Sequence, residues 1–284
     1  MKIYRILAGI DLGSDTEIVL SYASFFAKET GASLKLLYVI DYLVTPPAYL
    51  APYMKEEKRG AEEKLVLWAN RLRDSGIKTE TEVIVGRLRE SFESAVERLK
   101  ADLLVLGFRS HPLRRSSSER LIKGLRMPML VTRGEKASAS RIGSVKIKKI
   151  LCPTDFSDTS KKALEVAGKL RDIFSSELYV VHVLPSHVIK GKMATWMNKD
   201  EAMRDLLEEA KGKLEEFLRD SQIKEKGIIS EGDPHKNIVS FSSEKDIDLI
   251  IMGSRGLGLI KETILGSVTD ALLKSSICPV LIIH

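Results

Sequence analysis

A glycine-rich stretch late in the chain combines residue types and spacing that suit phosphate binding. Gly253 is followed after two residues by Gly256, and after nine more by Gly266 and Ser267. The apolar run before this stretch indicates a buried strand, and the residues after it have helical character. Glycine lets the backbone approach a ligand closely, and the N–H groups at a helix start attract anions. The stretch therefore predicts a site for a phosphate-bearing ligand. The alternative is a structural turn that needs glycine for its backbone conformation and binds no ligand.

The stretch differs from two other glycine motifs that bind nucleotides. A Walker A loop ends in Gly-Lys-Ser or Gly-Lys-Thr, whereas no lysine lies between Gly266 and Ser267. The role of Lys261, in the middle of the stretch, stays open. A Rossmann glycine fingerprint belongs after the first strand of a domain, where residues 153–156 of this chain are Pro-Thr-Asp-Phe. The motif is therefore neither a P-loop nor a good Rossmann fingerprint.

The chain carries the same unit twice, and this repeat sets its domain organisation. Five segments recur about 145 residues later, a period too long for a solenoid. The matched pairs are residues 2–11 and 146–155, 33–40 and 177–184, 85–86 and 231–232, 101–107 and 247–253, and 127–131 and 278–282. We therefore predict two domains, residues 1–134 and 146–284. The small polar residues 133–141 are the expected linker.

Short β-branched runs alternate with amphipathic stretches in each copy. In the second copy we predict strands at residues 150–153, 178–183, 227–230, 249–252 and 280–283, and helices at 160–174, 201–221, 236–243 and 269–275. Nearly continuous apolar strands between helices indicate a parallel sheet that is covered on both faces. Right-handed crossovers then predict an α/β fold of two tandem doubly wound domains, each a five-stranded parallel sheet flanked by helices.

Several residues of the second copy stand where the predicted strands end. Ligands of open parallel sheets bind outside these carboxyl ends, at the point where the strand order reverses. Asp155 follows the first strand, Val183 ends the second, and Met252 and Gly253 end the fourth. A carboxylate can accept hydrogen bonds from ribose hydroxyls or hold a metal ion, and an apolar residue can pack on adenine. Together with the glycine stretch, these positions predict a nucleotide site.

The glycine stretch, the tripeptide at 153–155 and the tandem repeat resemble the universal stress protein family, specifically its two-domain members, over essentially the whole chain. The resemblance implies an adenine nucleotide alpha hydrolase-like fold. It also implies a stress-response or regulatory protein that binds an adenine nucleotide, ATP or AMP, with or without Mg²⁺. By this resemblance Asp155 would lie near the adenosine, and the Val183 backbone would contact adenine. Met252 and Gly253 would line the adenine and ribose. The phosphates would be held by the backbone N–H groups of Gly256, Gly266, Ser267 and Val268 and by the Ser267 hydroxyl. The full set of implied binding residues is Pro153, Thr154, Asp155, Val183, Met252, Gly253, Arg255, Gly256, Gly266, Ser267, Val268 and Thr269.

The first copy departs from this pattern. The loop after Gly107 is about five residues shorter, and Ser110 and Arg115 stand where glycines would. One hypothesis is that arginine side chains replace the backbone N–H groups that would otherwise hold the phosphates, because guanidinium groups bind phosphate bidentately. The alternative is a degenerate copy with an exposed basic loop, and the two hypotheses differ in the number of nucleotides bound per chain. The weaker candidates for a site in this copy are Asp11, Val39, Gly107, Arg109, Arg115 and Ser116.

The sequence offers no convincing catalytic set. We expect His182 to be packed in a strand, and Asp233 to cap the helix that begins near His235. No nucleophile has an evident general base, and Asp155 alone would make a poor phosphoryl-transfer site. The five histidines do not cluster in the sequence; they are His111, His182, His187, His235 and His284. We therefore expect a protein that is not an enzyme, with at most slow ATP hydrolysis, no catalytic residues and no metal site of its own.

Proteins of other classes remain as alternatives. The main one is a module of the same fold that binds a protein partner without any nucleotide. Weaker ones are an ATP-consuming ligase and a relative of electron-transfer flavoproteins with a similar sheet. A titration with ATP and AMP separates the first alternative from nucleotide binding.

The composition is that of a globular protein, and no apolar run approaches the ~18 residues of a membrane span. The net charge of +6 comes from the first half, because residues 1–142 hold 24 Lys and Arg against 18 Asp and Glu, whereas residues 143–284 hold 21 of each. Since helices of mixed charge dilute this excess, we expect no nucleic-acid partner and no membrane partner. Cys152 and Cys278 lack metal-ligand spacing and predict small buried side chains in a cytoplasmic protein.

Two further segments bear on partners. The predicted fifth strands, residues 129–132 and 280–283, are short apolar sheet edges that need a partner. The resemblance implies that they pair between the copies as an internal pseudo-dimer, while a homodimer of the whole chain and an unknown protein partner stay open. Residues 42–54, which contain three prolines, are expected to form a mobile or partner-contacting loop over the first site.

Overall fold

The computed structural model describes residues 2–42, 51–108, 117–133, 142–195, 199–256 and 265–284. The chain divides into two compact units, Met1–Lys146 and Ile147–His284. Each unit alternates strands with helices and contains five parallel strands. The predicted fold class, two tandem doubly wound α/β domains, is confirmed.

In the first unit the strands run in the order β3-β2-β1-β4-β5. The chain moves outward from β1 to β3, crosses back to the other side of β1, and continues from β4 to β5. Because crossovers between parallel strands are right-handed, the helices of these two halves lie on opposite faces of the sheet. The elements are β1 (Arg5–Gly9), α1 (Thr16–Thr30), β2 (Ser33–Asp41), α2 (Ala51–Asp74), β3 (Thr79–Gly86), α3 (Leu88–Leu99), β4 (Leu103–Gly107), α4 (Ser117–Ile122) and β5 (Met129–Thr132).

The second unit repeats this arrangement with the strand order β8-β7-β6-β9-β10. The order reverses between β6 and β9, as it does between β1 and β4. This reversal marks the expected ligand position in each sheet. The elements are β6 (Lys149–Thr154), α5 (Asp158–Phe174), β7 (Glu177–Pro185), α6 (Ser186–Thr195), α7 (Lys199–Asp220), β8 (Gly227–Gly232), α8 (Pro234–Glu244), β9 (Leu249–Gly253), α9 (Ser267–Ser275) and β10 (Val280–Ile283).

The central strands are apolar along their length because both of their faces are covered. Leu249, Ile250 and Ile251 of β9 are fully buried, and so are the matching residues of β4. The core of each unit therefore lies on both sides of its sheet, and polar residues appear only where a central strand ends.

Local sequence explains where two helices of the second unit begin. Ser157 is the N-cap of α5, and its hydroxyl accepts a hydrogen bond from the Ser160 N–H. Asp233 is the N-cap of α8, and its carboxylate accepts one from the Lys236 N–H at 3.0 Å. Pro234 follows it at the first helical position, where a missing N–H costs nothing. The predicted capping role of Asp233 is confirmed.

The nine elements predicted for the second copy are present, and α6 is an additional helix that the sequence pattern did not indicate. The prediction of a loop at residues 42–54 was wrong for its last four residues, because α2 begins at Ala51. Pro52 lies in the first turn of that helix, where proline is tolerated. Residues 43–50 and most of the predicted linker, 134–141, lie outside the described residues.

Two further predictions concern composition. Within the described ranges, no helix is long and apolar enough to cross a membrane. Cys152 and Cys278 are both buried and form no disulfide, as predicted. Burial raises the pKa of the Cys152 thiol to about 12, which keeps this thiol protonated and unreactive at neutral pH.

Candidate functional site

Three strand ends of the second unit meet where its sheet reverses. Thr154, the last residue of β6, pairs with His182 of β7, so Asp155 lies level with Val183. The parallel pairing of β6 with β9, of Ile150 with Leu249 and of Leu151 with Ile250, brings Gly253 at the end of β9 to the same edge of the sheet. Residues that are distant in the sequence therefore share one edge of the sheet, as the sequence analysis predicted for them.

Pro153 loosens the sheet at this edge. The pairing of β6 with β9 covers Ile150 and Leu151, whereas the matching pairing of β1 with β4 runs from Ile6 to Gly9. Proline has no N–H to donate to a neighbouring strand. The pairing between the two central strands of the second unit therefore ends earlier than the matching pairing in the first unit.

The turn after β6 holds the carboxylate of Asp155 in place. Its Oδ1 accepts hydrogen bonds from the Ser157 N–H at 3.1 Å and from the Ser157 hydroxyl at 2.6 Å. Phe156 lies between them with a φ of +67°, the left-handed conformation that closes such a turn. One carboxylate oxygen is thereby engaged by the turn. The other, Oδ2, faces Gly256 in the segment between β9 and α9, which we call the glycine loop.

Gly256 lies directly against this carboxylate. A Cβ added to Gly256 would lie 2.2 Å from Oδ2 of Asp155, far inside contact distance. The loop therefore passes the strand-end carboxylate only because residue 256 has no side chain. The structure brings together two candidate residues that are about a hundred positions apart in the sequence.

The start of the glycine loop is attached to α5. The Arg255 carbonyl accepts a hydrogen bond from the Thr159 hydroxyl, and the Ser157 hydroxyl lies 3.4 Å from the same oxygen. A Cβ on Gly253 would lie 2.7 Å from Thr159 Oγ1 and 2.9 Å from the Ser160 nitrogen. The first glycine of the motif is therefore required by the close packing of β9 on α5.

The second half of the motif forms the start of α9. The Gly266 N–H donates to the Ser254 carbonyl at 2.7 Å, which returns the loop to the end of β9. The first hydrogen bond inside the helix runs from the Asp270 N–H to the Gly266 carbonyl. The N–H groups of Ser267 and Val268 precede this bond, so they are among those that a helix start offers to an anion.

Other predicted residues of the site serve the fold through their side chains. The buried Thr269 hydroxyl donates to the Gly253 carbonyl at 3.1 Å. The Thr154 hydroxyl is hydrogen-bonded to the Ser160 hydroxyl, in the first turn of α5, at 3.0 Å. The side chains of Val183 and Met252 are buried in the core. A ligand at this edge would therefore meet these four residues mainly through their backbone.

His182 is packed beside the site. Its Nδ1 donates to the Thr154 carbonyl at 2.8 Å, and its ring centroid lies 4.3 Å from that of Phe156. Burial lowers the pKa of His182; the bond to Thr154 and the charge of Asp155 oppose this effect, and Lys213 adds to it. The neutral ring is thus held by a strand carbonyl, in the packed role that the sequence predicted.

The first unit has a cleft of about 420 Å³ at the carboxyl ends of its strands. Asp11, Val39 and Gly107, three of the predicted candidates, line this cleft. It lies where the strand order reverses, the usual ligand position in such a sheet. The other three candidates, Arg109, Arg115 and Ser116, lie outside the described residues, as do Ser110 of this unit and Lys261 of the second.

Carboxylates dominate the charged part of this first cleft. Asp11, Asp15, Asp41 and Glu57 line it, and among the residues that the structure describes no lysine or arginine does so. Burial raises the pKa of the Tyr38 hydroxyl in the same cleft, and the charges of Glu57 and Asp11 add to the rise. Arg120, which is not among the lining residues, pairs with Asp41 at 2.9 Å, and the remaining excess of carboxylates disfavours a phosphate group at the described walls of the cleft.

The two units build the same turn from different residues. Oδ1 of Asp11 accepts a hydrogen bond from the Gly13 N–H at 2.8 Å, as the matching aspartate of the second unit does from Ser157. Two positions further, Asp15 stands where the second unit has Thr159. The first unit therefore keeps the turn but lacks both hydroxyl groups that flank the glycine loop of the second.

Sequence reasoning did not single out Ser157, Thr159, Tyr38 or Glu57. Comparing residues 11–15, Asp-Leu-Gly-Ser-Asp, with residues 155–159, Asp-Phe-Ser-Asp-Thr, would have drawn attention to the first two. No local signal indicated Glu57, because its position in the cleft depends on how α2 packs on the sheet.

Sequence and structure comparisons relate both halves of the chain to known proteins. The model of the universal stress protein family matches residues 2–133 and 146–284. Universal stress protein MJ0577 of Methanocaldococcus jannaschii is 38% identical over 156 residues, which cover 49% of this chain and 96% of that protein. Universal stress protein Slr1230 of Synechocystis sp. is 26% identical and covers 92% of each chain. The crystal structure of a universal stress protein from Archaeoglobus fulgidus has a TM-score of 0.74 at 25% identity, covering 99% of this chain and 96% of that one.

Proposed function

This chain belongs to the universal stress protein family, and we propose that its second unit binds an adenine nucleotide, ATP or AMP, in a stress-response or regulatory role. The proposed site lies at the ends of β6, β7 and β9 and at the start of α9. Binding, rather than chemical turnover of the ligand, is the proposed activity.

The contact between Asp155 and Gly256 carries this proposal. The glycine loop passes the carboxylate at a distance that any Cβ would prevent, since that atom would lie 2.2 Å from Oδ2. The same loop leads to the start of α9, where N–H groups precede the first helical hydrogen bond. A hydroxyl-binding carboxylate beside an anion-binding backbone matches the two polar parts of a nucleotide, its ribose and its phosphates.

Each part of the ligand has a candidate partner. Asp155 would accept hydrogen bonds from ribose hydroxyls, and the backbone of Val183 would contact the edge of adenine. The N–H groups of Gly256, Ser267 and Val268 would hold phosphate oxygens, an arrangement favoured by the helix dipole. Magnesium bound with ATP would be held chiefly by phosphate oxygens and water, with Asp155 as its candidate protein ligand.

We further propose that the bound nucleotide is at most slowly hydrolysed. In the described part of the chain, no group of three or more His, Cys, Asp or Glu side chains could hold a metal ion. His182 is bonded to a strand carbonyl, and His235 is bonded to Ser275 on the surface. A phosphoryl-transfer site needs a group that positions the attacking water, in addition to a single carboxylate.

Mass spectrometry of small molecules that co-purify with the chain tests the proposal. We expect an adenine nucleotide in wild-type protein at about one molecule per chain, and its loss from Gly256→Glu and Asp155→Ala. Gly212→Ala is the matched control, because nothing lies within 4 Å of a Cβ added at that helical position. Full occupancy in both site variants would contradict the assignment of the site. Two nucleotides per chain would instead favour the hypothesis that arginines of the first unit bind phosphate in place of backbone N–H groups.

A titration with ATP and AMP separates this function from that of a nucleotide-independent interaction module. A ligand present at 100 times its dissociation constant stabilises the folded state by about 2.7 kcal/mol, which a thermal unfolding curve detects readily. No shift at about millimolar nucleotide, for a wild-type chain that is free of nucleotide at the start, would favour the interaction module.

A further inference from the structure

We infer that Thr159 is a positioning residue for the glycine loop: its hydroxyl fixes the Arg255–Gly256 peptide so that the Gly256 N–H faces the phosphate site. The inference rests on the proposed nucleotide function and concerns a residue outside the glycine motif. Thr159 lies in the first turn of α5 and is half-buried.

The hydroxyl of Thr159 is the main partner of the Arg255 carbonyl. Ser157 also lies near this oxygen, but its hydroxyl has a single hydrogen to donate. That hydrogen goes to Oδ1 of Asp155, which is 2.6 Å away, whereas the Arg255 carbonyl is 3.4 Å away. Thr159 is therefore left to hold the carbonyl, while Ser157 holds the carboxylate.

The fixed carbonyl also fixes the N–H of the next residue. Peptide bonds are planar, and all of those described in this chain are trans, so the Gly256 N–H points away from the Arg255 carbonyl. The carbonyl is directed at α5. The Gly256 N–H is therefore directed away from α5. The Gly256 nitrogen lies 3.6 Å from the position of a Cβ added to Gly266, which places this peptide beside the start of α9, the proposed phosphate site.

The first unit supplies an internal comparison. Asp15 occupies the position of Thr159, and an ionised carboxylate accepts hydrogen bonds but has none to donate to a carbonyl. Gly13, at the position of Ser157, has no side chain. The first unit therefore lacks the side chains for such a hydrogen bond, which we call the tether, as well as two of the three motif glycines.

Substitution of Thr159 tests the tether. Thr159→Val keeps the shape of the side chain and removes the donor, and Thr159→Ser restores it. We expect Thr159→Val to lower the affinity for ATP about tenfold and to leave the affinity for adenosine, which has no phosphate, unchanged. Thr159→Ser should bind ATP within about twofold of wild type. Thr159→Ala provides a second donor-free variant if valine impairs folding.

Controls separate positioning from general loss of structure. Thr30→Val removes a comparable hydrogen bond, from a threonine hydroxyl to the Phe26 carbonyl in the first unit, and should leave ATP binding unchanged. The amide resonance of Gly256, measured by NMR without ligand, should move in Thr159→Val and return in Thr159→Ser. This signal reports the peptide orientation directly.

Three results would overturn the inference. Unchanged ATP affinity in Thr159→Val and Thr159→Ala would show that the tether is not needed. An equal loss of ATP and adenosine affinity would show a general structural role instead of phosphate positioning. Failure of the wild-type chain to bind either ligand would overturn the proposed function, and the role of Thr159 in binding with it.

Discussion

The two units of this chain place the same turn at the same edge of the same kind of sheet, yet they surround it with different chemistry. In the second unit the strand-end aspartate faces a glycine loop that the Thr159 hydroxyl holds to α5. In the first unit the matching aspartate shares its cleft with Asp15, Asp41 and Glu57. The fold therefore determines where a ligand would lie, while a few loop and helix residues determine which charge it can carry.

Electrostatics make this difference large. Two like charges 4 Å apart repel each other by about 1 kcal/mol in water and by about 4 kcal/mol at the effective dielectric constant near a protein surface. The excess of carboxylates in the first cleft, which remains after Arg120 pairs with Asp41 at 2.9 Å, adds such a cost for a phosphate, whereas the start of α9 in the second unit attracts anions. This contrast is why we expect one nucleotide per chain.

The largest expected effect comes from giving the second unit the serine that the first unit has in place of a motif glycine. Gly256→Ser should lower nucleotide affinity at least about 100-fold, because its Cβ would overlap Oδ2 of Asp155 and force the loop or the carboxylate to move. Isothermal titration with ATP measures the loss. Gly266→Ser is the matched control.

The control substitution should be far milder for the fold. A Cβ on Gly266 would meet its nearest neighbours at 3.5 Å, an ordinary contact, and serine is a favoured N-cap residue. We expect the free energy of unfolding to stay within about 0.5 kcal/mol of wild type and the affinity for ATP to fall less than in Gly256→Ser. Equal losses of affinity in the two variants would contradict the distinct roles assigned to these glycines.

The next largest expected effect is on the free energy of unfolding. It should differ between the two glycines that end the fourth strand of each unit, Gly253 and Gly107. A Cβ on Gly253 would lie under 3.0 Å from backbone atoms of Thr159 and Ser160, which cannot rotate away. Among the described residues, a Cβ on Gly107 would meet the Val19 side chain at 3.0 Å and the Asp15 side chain at 3.6 Å, and no backbone atom is among these neighbours. We expect Gly253→Ala to cost about 2–3 kcal/mol and Gly107→Ala about 1 kcal/mol or less.

Hydrogen exchange followed by mass spectrometry can assign these losses to the correct unit. Amides of β9 and α5 should lose protection in Gly253→Ala, and those of β4 and α1 should change little in Gly107→Ala. Similar losses in both units would mean that the second unit does not depend on its tighter packing at this point.

Much of this comparison could be predicted from the sequence. The features that were missed can each be traced to a physical cause. Strands such as β9 were evident because a parallel strand covered on both faces is apolar throughout, and Asp155 was predicted because it follows such a strand. The tether by Thr159 and the entry of Glu57 into the first cleft were not predicted, since both depend on how a helix packs on the sheet. The start of α2 was missed because Pro52 resembles a loop signal, although a first helical turn tolerates proline.

The smallest expected effect is a difference in how the two units respond to pH. His182 and Tyr38 occupy matching positions in β7 and β2, and burial is the first cause of the pKa shift of each. The pKa of His182 is lowered from 6.5, so the unfolded chain binds the proton more readily than the folded chain does. Its contribution to stability is present above pH 6.5 and is lost as the pH falls through the folded-state value.

Tyr38 should act at the opposite end of the pH scale. Its pKa is raised from 10.0, so its contribution is present below that pH and is lost as the pH rises through the folded-state value. We expect His182→Phe to flatten the acid side of the stability profile of the second unit, and Tyr38→Phe to flatten the alkaline side for the first unit. His182→Phe also loses the bond to the Thr154 carbonyl, so the slope with pH is the quantity to compare, rather than the stability itself. Unit-resolved hydrogen exchange, corrected for the intrinsic rate at each pH, measures both slopes. An acid slope in His182→Phe equal to that of wild type would mean that the buried imidazole is not what makes the second unit sensitive to acid.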